Sequence, residues 1–182
     1  MLQVNRKEIF SNTTITVFEV RLDDEKMNKK IVKIIDKQGD KQKQTSNVKA
    51  QMTEWKMMDQ PGFKELAEII KEAAVEASKK KYGLLINPII TDMWGMKYKS
   101  EEIAIKHDHY PSTWSCAYYI NPPKGAPGLF FPEADKEIKI ENGLLVLFEG
   151  NVKHEVRTAK FDGFRYVVSA NLYHFCMILK KA

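Results

Sequence analysis

Residues 107–121 read HDHYPSTWSCAYYIN and run straight into the turn Pro122-Pro123-Lys124-Gly125. Ser115 to Asn121 is an almost unbroken apolar and aromatic run bounded by turn residues, the signature of a buried strand. The same pattern repeats on both sides of it. Leu84–Thr91 and Glu102–His107 precede it. Leu129–Phe131, Glu137–Ile140, Leu144–Phe148, His154–Arg157 and Arg165–Cys176 follow. Pro127-Gly128, Glu141-Asn142-Gly143 and Phe161-Asp162-Gly163 punctuate them. Short strands at such regular spacing predict a β-sandwich or small barrel, with a jelly roll as the specific candidate.

Upstream of residue 84 the chain has a different grammar. Thr14-Ile15-Thr16-Val17-Phe18-Glu19-Val20 is β-branched and nearly alternating, which predicts an opening strand. Asp23-Asp24-Glu25 supplies acids for the start of a helix over Glu25–Ile35. Lys37–Ser46 is polar with a Gly39-Asp40 turn and reads as a loop. After Pro61-Gly62, Phe63, Leu66, Ile70, Ala73, Ala74 and Ala77 recur at helical spacing up to Tyr82-Gly83. Helices come first and strands later, so the expected class is α+β and not a βαβ wrap. The expected organisation is one domain over 1–182, with an N-terminal strand and supporting helices over 1–83 and a jelly-roll core over 84–176.

Composition narrows the function classes. Apolar residues are 43% and charged residues 29% of 182, a globular balance that excludes a disordered or collagen-like chain. No apolar run approaches the ~20 residues that span a bilayer, so no membrane role is expected. The opening MLQVNRKEIFSN carries charges where a secretion signal needs its apolar stretch. The two cysteines, Cys116 and Cys176, form no zinc or disulfide spacing. The expected location is therefore the cytoplasm. The net charge of +5 is concentrated in Lys26–Lys43 and in Lys79-Lys80-Lys81. No aromatic residues interleave with the first cluster, so a solvated face is expected and nucleic acid is not.

The chain has four histidines, His107, His109, His154 and His174. On an extended strand His107 and His109 point to one face. His154 from a distant strand can then complete a triangle of imidazoles around a metal, leaving coordination positions open. The alternative is a surface strand that merely carries paired polar residues. His174, between Tyr173 and Phe175, reads as an ordinary half-buried histidine. Arg165 opens an otherwise apolar strand, where a buried guanidinium needs an anion. That anion is either a protein carboxylate or a bidentately bound anionic cosubstrate. Ser169 shares its face. Trp94, Tyr98, Trp114, Tyr119 and Phe130 are candidates to line the interior, or else plain core.

Taken together, these residues resemble the iron(II)- and 2-oxoglutarate-dependent dioxygenases, whose HxD pair, distal His and later Arg sit on a double-stranded β-helix. The stretch His107 to Asn121 is similar to the HxH…YY segment of oxygenases common in marine phages and bacteria. It is also similar to the C-x-YYLN strand of the oxygen-sensing prolyl hydroxylases. His154-Glu155-Val156 with Arg165-Tyr166 resembles the HEV…RY pair of those hydroxylases. Asn47 to Trp55 resembles the segment before the supporting helix of the phage-type group.

The resemblance implies His107 and His154 as iron ligands and Arg165 as the clamp on the distal carboxylate of 2-oxoglutarate. Tyr119 would bond the same carboxylate, with Ser169 and Tyr98 in the pocket wall. The third ligand falls to His109 or Asp108, and strand alternation favours His109. Fe(II) and 2-oxoglutarate are the implied cofactor and cosubstrate, with ascorbate as a supporting reductant. The implied activity is a hydroxylase of a peptidyl residue, prolyl or another aminoacyl, releasing succinate and CO2. Its prime substrate would be a protein or peptide, and its location the host cytoplasm if phage-encoded. Two readings stay open beside it: a three-histidine, cupin-like dioxygenase that uses no 2-oxo acid, and a non-catalytic jelly-roll binding module.

Overall fold

The computed structural model describes residue 3 and residues 5–9, 14–42 and 46–174. Two antiparallel sheets face one another, and two helices cover the outer side of the larger one. In chain order the strands are β1 (Asn5–Ile9), β2 (Ile15–Arg21), β3 (Val48–Lys49), β4 (Gln51–Met52), β5 (Pro88–Tyr98), β6 (Ile103–His107), β7 (Trp114–Ile120), β8 (Phe130–Phe131), β9 (Lys136–Glu137), β10 (Leu144–Glu149), β11 (His154–Val156) and β12 (Arg165–His174). The helices are α1 (Glu25–Gln38) and α2 (Phe63–Tyr82). The major sheet runs β1-β2-β10-β7-β12-β5-β4 and the minor sheet β3-β6-β11-β8-β9. This is the α+β jelly roll, a double-stranded β-helix with N-terminal supporting helices, that the sequence predicts. Among the described residues no helix is long and apolar enough to cross a membrane.

The alternation along β7 shows how one strand serves two cores. Trp114, Cys116, Tyr118 and Ile120 face the helices, where Phe18, Met27, Ile31, Phe63 and Ile70 join them. Ala117 and Tyr119 face the minor sheet, with Trp94, Tyr98, Phe131, Phe148 and Val167. Every residue of β7 is therefore buried, and apart from Ser115 its sequence is apolar or aromatic instead of alternating. Gly95 lets α1 come close to β5: a Cβ there would lie 2.5 Å from Cγ1 of Ile35. Gly143 has φ +74° and would place a Cβ 1.9 Å from the Leu22 carbonyl oxygen. The lysines of α1 are solvated, with Lys29 paired to Glu25 and Lys30 to Glu65 across to α2.

Several expectations need correction. The strand expected over Leu84–Thr91 begins at Pro88 and extends to Tyr98. Leu84 and Leu85 lie in the exposed connection after the helix, which Gly83 ends in a left-handed cap. The strand expected over Glu137–Ile140 is only Lys136–Glu137, with the Ile138 amide continuing the pairing in a last bond to the Leu129 carbonyl. The helix expected to end at Ile35 continues one turn to Gln38, held by the amide of Gln51, whose Nε2 donates to the Ile35 carbonyl. The strands β1, β3 and β4 were not anticipated; two of them are two-residue pairings that no window of sequence can reveal. The C-terminal part of the strand expected to reach Cys176 lies outside the described residues.

Candidate metal centre and anion pocket

The last residue of β6 and the first of β11 are cross-strand partners, and both are histidines: His107 opposite His154. His109 does not lie on that strand. β6 stops at His107, yet its alternation carries past the strand end: Asp108 is exposed, and His109 joins His107 in the cluster. Its amide donates to the Gly150 carbonyl at 2.6 Å, and its carbonyl accepts from the Ser112 amide at 2.8 Å. Those two backbone bonds return the imidazole to the other two. The ring centroids form a near-equilateral triangle, with sides of 4.9 Å for His107–His109, 4.5 Å for His107–His154 and 5.0 Å for His109–His154. One ring nitrogen from each lies within 4.8 Å of the others. Asp108 is exposed and takes no part; its carboxylate accepts the Tyr110 amide at 3.1 Å.

The chemistry of the donor set suits a metal ion. His107 Nδ1 lies 2.6 Å from the Ile105 carbonyl and His154 Nδ1 lies 2.9 Å from the Val152 carbonyl. A carbonyl only accepts, so each Nδ1 carries the proton and each Nε2 presents its lone pair. Burial pushes the pKa of all three imidazoles down, and that of His109 to about 4, with the His107 charge adding to the effect. At neutral pH the cluster is thus three neutral donors. Phe148, at 4.7 Å between ring centroids, backs His154 and keeps water from behind it.

Behind the histidines a pocket runs between the sheets, walled by adjacent strands. β5 and β12 pair in a register that sets Tyr98 opposite Arg165, Met96 opposite Val167 and Trp94 opposite Ser169. All six line the pocket, together with Tyr119 and the three histidines. Arg165 is 1% exposed. Among the described residues no carboxylate pairs with it, and neither its Nε and Nη1 nor the Tyr119 hydroxyl has a hydrogen-bond partner. Its guanidinium lies 4.5 Å from the Tyr98 ring centre and 5.5 Å from that of Tyr119. Burial raises the Tyr98 phenol to about 12 and raises Tyr119 as well, while the Arg165 charge opposes both shifts. Both phenols are therefore donors at neutral pH. Two nitrogens of the Arg165 guanidinium and the Tyr119 hydroxyl thus stand as unused donors on one pocket.

Solved structures carry the same architecture. The chain is similar to a viral collagen prolyl hydroxylase from Paramecium bursaria Chlorella virus-1, solved with 2-oxoglutarate, at 17% identity and TM-score 0.64, covering 86% of this chain and 94% of that one. The fold is that of the iron(II)- and 2-oxoglutarate-dependent oxygenases. A prolyl hydroxylase from Trichoplax adhaerens, in complex with a peptide fragment of the hypoxia-inducible factor oxygen degradation domain, matches at 16% identity and TM-score 0.64, over 86% of this chain and 83% of that one. A prolyl-4-hydroxylase from Pseudomonas putida matches at 13% identity and TM-score 0.64, over 87% and 92%. No family model and no curated protein matches the sequence.

Every site residue expected from the sequence comes to this one pocket: His107, His109, His154, Arg165, Tyr119, Tyr98 and Ser169. Two of the five candidate lining aromatics do not. Trp114 faces the helices, its Nε1 donating to the Ser78 hydroxyl at 2.8 Å, and Phe130 lies under the Arg157 guanidinium. His174 is half-buried and apart from the cluster, as expected. Sequence reasoning missed Val48, Trp55 and Asn171, which join the histidines only through the fold. Asn171 had a legible signal, since it continues the alternation Arg165, Val167, Ser169.

Proposed function

We propose that this chain is an iron(II)- and 2-oxoglutarate-dependent hydroxylase acting on a peptidyl residue, prolyl or another aminoacyl. The observation that carries the reading is Arg165: a fully buried cation with no protein anion among the described residues, on the same pocket as three convergent imidazoles. A structural arginine at such a depth brings its own carboxylate, because an unpaired buried charge costs several kcal/mol, roughly 3–5. This one awaits a ligand.

His107, His109 and His154 would hold the metal, as three neutral donors that leave the remaining positions to cosubstrate and oxygen. When bound, iron(II) supplies oxygen activation: one oxygen atom goes to the 2-oxo acid, which leaves as succinate and CO2, and the other enters a substrate C–H bond. The residues of the chain do the rest. Arg165 and Tyr119 grip the far carboxylate, with Tyr98 beside them. Met96 and Val167 flank the carbon chain. Phe148 and Phe131 exclude water behind His154.

A second reading rests on His109. Three histidines without an acid also suit a dioxygenase that uses no 2-oxo acid. Anaerobic addition of iron(II) and 2-oxoglutarate decides between them. The weak visible charge-transfer band of the 2-oxo acid chelate is the expected result, followed on admission of oxygen by slow succinate formation that ascorbate sustains. Iron binding without that band selects the second reading. No metal binding leaves a non-catalytic module.

A further inference from the structure

The lysine triplet that ends α2 takes no part in lining the pocket. Lys79 and Lys80 are exposed, but Lys81 is not a solvated lysine. Its side chain is 20% exposed, and its Nζ lies 2.5 Å from Oε2 of Glu149, itself 28% exposed. The Tyr82 hydroxyl donates to the other carboxylate oxygen, Oε1. In the same helical turn the Ser78 hydroxyl accepts the Trp114 indole N–H at 2.8 Å. Ser78, Lys81 and Tyr82 stand at i, i+3 and i+4, one face of a helix. Trp114 and Glu149 are cross-strand partners, the terminal pair of β7 and β10. The last turn of α2 thus holds that end of the major sheet by both strands.

Just past this pair lies the support of the histidine triangle. The Gly150 amide donates to the Thr113 carbonyl at 3.1 Å, and the Gly150 carbonyl accepts the His109 amide at 2.6 Å. The Val152 amide donates to the Glu149 carbonyl at 3.0 Å and closes a turn, whose Val152 carbonyl accepts Nδ1 of His154 at 2.9 Å. One four-residue turn, Glu149 to Val152, therefore sets where two of the three imidazoles stand. His107 is placed by β6 itself. Ligands from separate segments hold a metal only while their spacing is kept to about 0.5 Å. The groups behind such ligands typically carry about 10–100-fold in metal affinity.

We propose that Glu149 is a positioning residue for the metal centre: gripped by Lys81 and Tyr82, it fixes the 149–152 turn to the end of α2 and so sets the spacing of His109 and His154. This deepens the hydroxylase reading and rests on its metal centre. Glu149 belongs neither to the triangle nor to the pocket lining, so it acts through the backbone of the turn. The long helix supplies a rigid frame that β6 and the three-residue β11 lack.

The test uses the full chain with cobalt(II) as the probe and no 2-oxoglutarate. Titration calorimetry gives the cobalt affinity, and the visible ligand-field bands report how the three imidazoles are arranged. Glu149→Ala should lower the affinity about tenfold and shift the bands. Glu149→Gln keeps an acceptor for the Tyr82 hydroxyl and should recover most of that loss. Tyr82→Phe and Lys81→Met each remove one of the two contacts and should each cost roughly threefold, half of a tenfold loss on the free-energy scale. These two decide the matter should Glu149→Ala fail to fold. Glu65→Ala breaks an ion pair of the same 2.5 Å length, to Lys30 of α1, and should change neither affinity nor bands. Wild-type affinity and bands in Glu149→Ala, or in both Tyr82→Phe and Lys81→Met, overturn the inference. So does an equal loss in Glu65→Ala, which would make the effect one of general stability. A wild-type chain that binds no cobalt counts against the metal centre and the hydroxylase reading instead.

Discussion

At the scale of the residue, Arg165 and His109 carry the most information. A fully buried guanidinium without a counter-ion among the described residues is a cost to the fold, which a bound anion would recover on the proposed function. Replacing it with a flexible apolar side chain of similar length therefore has two opposite effects. Arg165→Met should leave the ligand-free protein as stable as wild type or slightly more so in urea unfolding, because an unpaired charge is removed. The same variant should lose 2-oxoglutarate affinity by the equivalent of roughly 3–5 kcal/mol, because the ligand's carboxylate is left without its partner. Calorimetry that finds wild-type affinity removes Arg165 from the pocket's chemistry.

His109 raises a separate question. It stands where the related pattern has an acid, and it lies two residues past the end of β6, held there by the Gly150 carbonyl. His109→Ala should strip the metal, Asp108→Ala should retain it, and His109→Asp should rebuild a site of the usual composition. Metal content by atomic absorption on the three variants decides it. Loss of metal in Asp108→Ala with retention in His109→Ala would falsify the triangle as the ligand set.

At the scale of the element, the site depends on where strands start and stop. β6 ends at His107 and β11 starts at His154, so the two imidazoles meet at one end of the minor sheet's strands. The strands that bring them there are short, and their Ala104 and Val156 share a core with Tyr98, Tyr119 and Val167 of the major sheet. Its β10 runs from Gly143, which closes on β2 through the Leu22 amide at 2.9 Å and adopts a left-handed φ of +74°. Gly143→Ala adds the strain of that conformation, about 1–3 kcal/mol, and pushes a methyl group against the Leu22 carbonyl oxygen. The variant should therefore unfold at a lower urea midpoint with an unchanged m-value. A midpoint equal to wild type would show that this junction yields without cost.

At the scale of the whole molecule, ligand binding and stability are one quantity. On the proposed function, three neutral imidazoles would leave a divalent ion with its full charge, and the dianionic 2-oxo acid would compensate it while Arg165 received the far carboxylate. Metal and cosubstrate should then bind with positive coupling, each raising the affinity of the other by the same factor. Thermal unfolding should show a small rise with manganese(II) alone and a larger one with 2-oxoglutarate added, by ligand linkage. Removal of the metal by a chelator should return the curve to that of the free protein and abolish the response to 2-oxoglutarate. Equal stabilisation by 2-oxoglutarate with and without metal would separate the two sites.

The sequence by itself determined the class, the helices and most strands, because these rest on local periodicity: 3.6 residues along Phe63–Tyr82 and turn-bounded apolar runs after residue 88. It also marked the candidate residues, since histidines are few and an arginine heading the apolar strand Arg165–His174 is conspicuous. It named His109 for the triangle, but not what holds it there, which is a hydrogen bond to Gly150, far along the chain. The two-residue strands β3 and β4 are likewise set by their partners β6 and β5, not by their own residues. Trp55 comes beside Trp94 only because Lys56 bridges to Met93 across the turn between β4 and α2. Trp114 and Tyr119 lie on one strand, and its alternation sends the first to the helices and the second to the pocket. Local pattern names the residue types and the elements; which face of a sheet meets which partner is decided by long-range pairing, where the free energy depends on contacts between distant segments and on no single window of sequence.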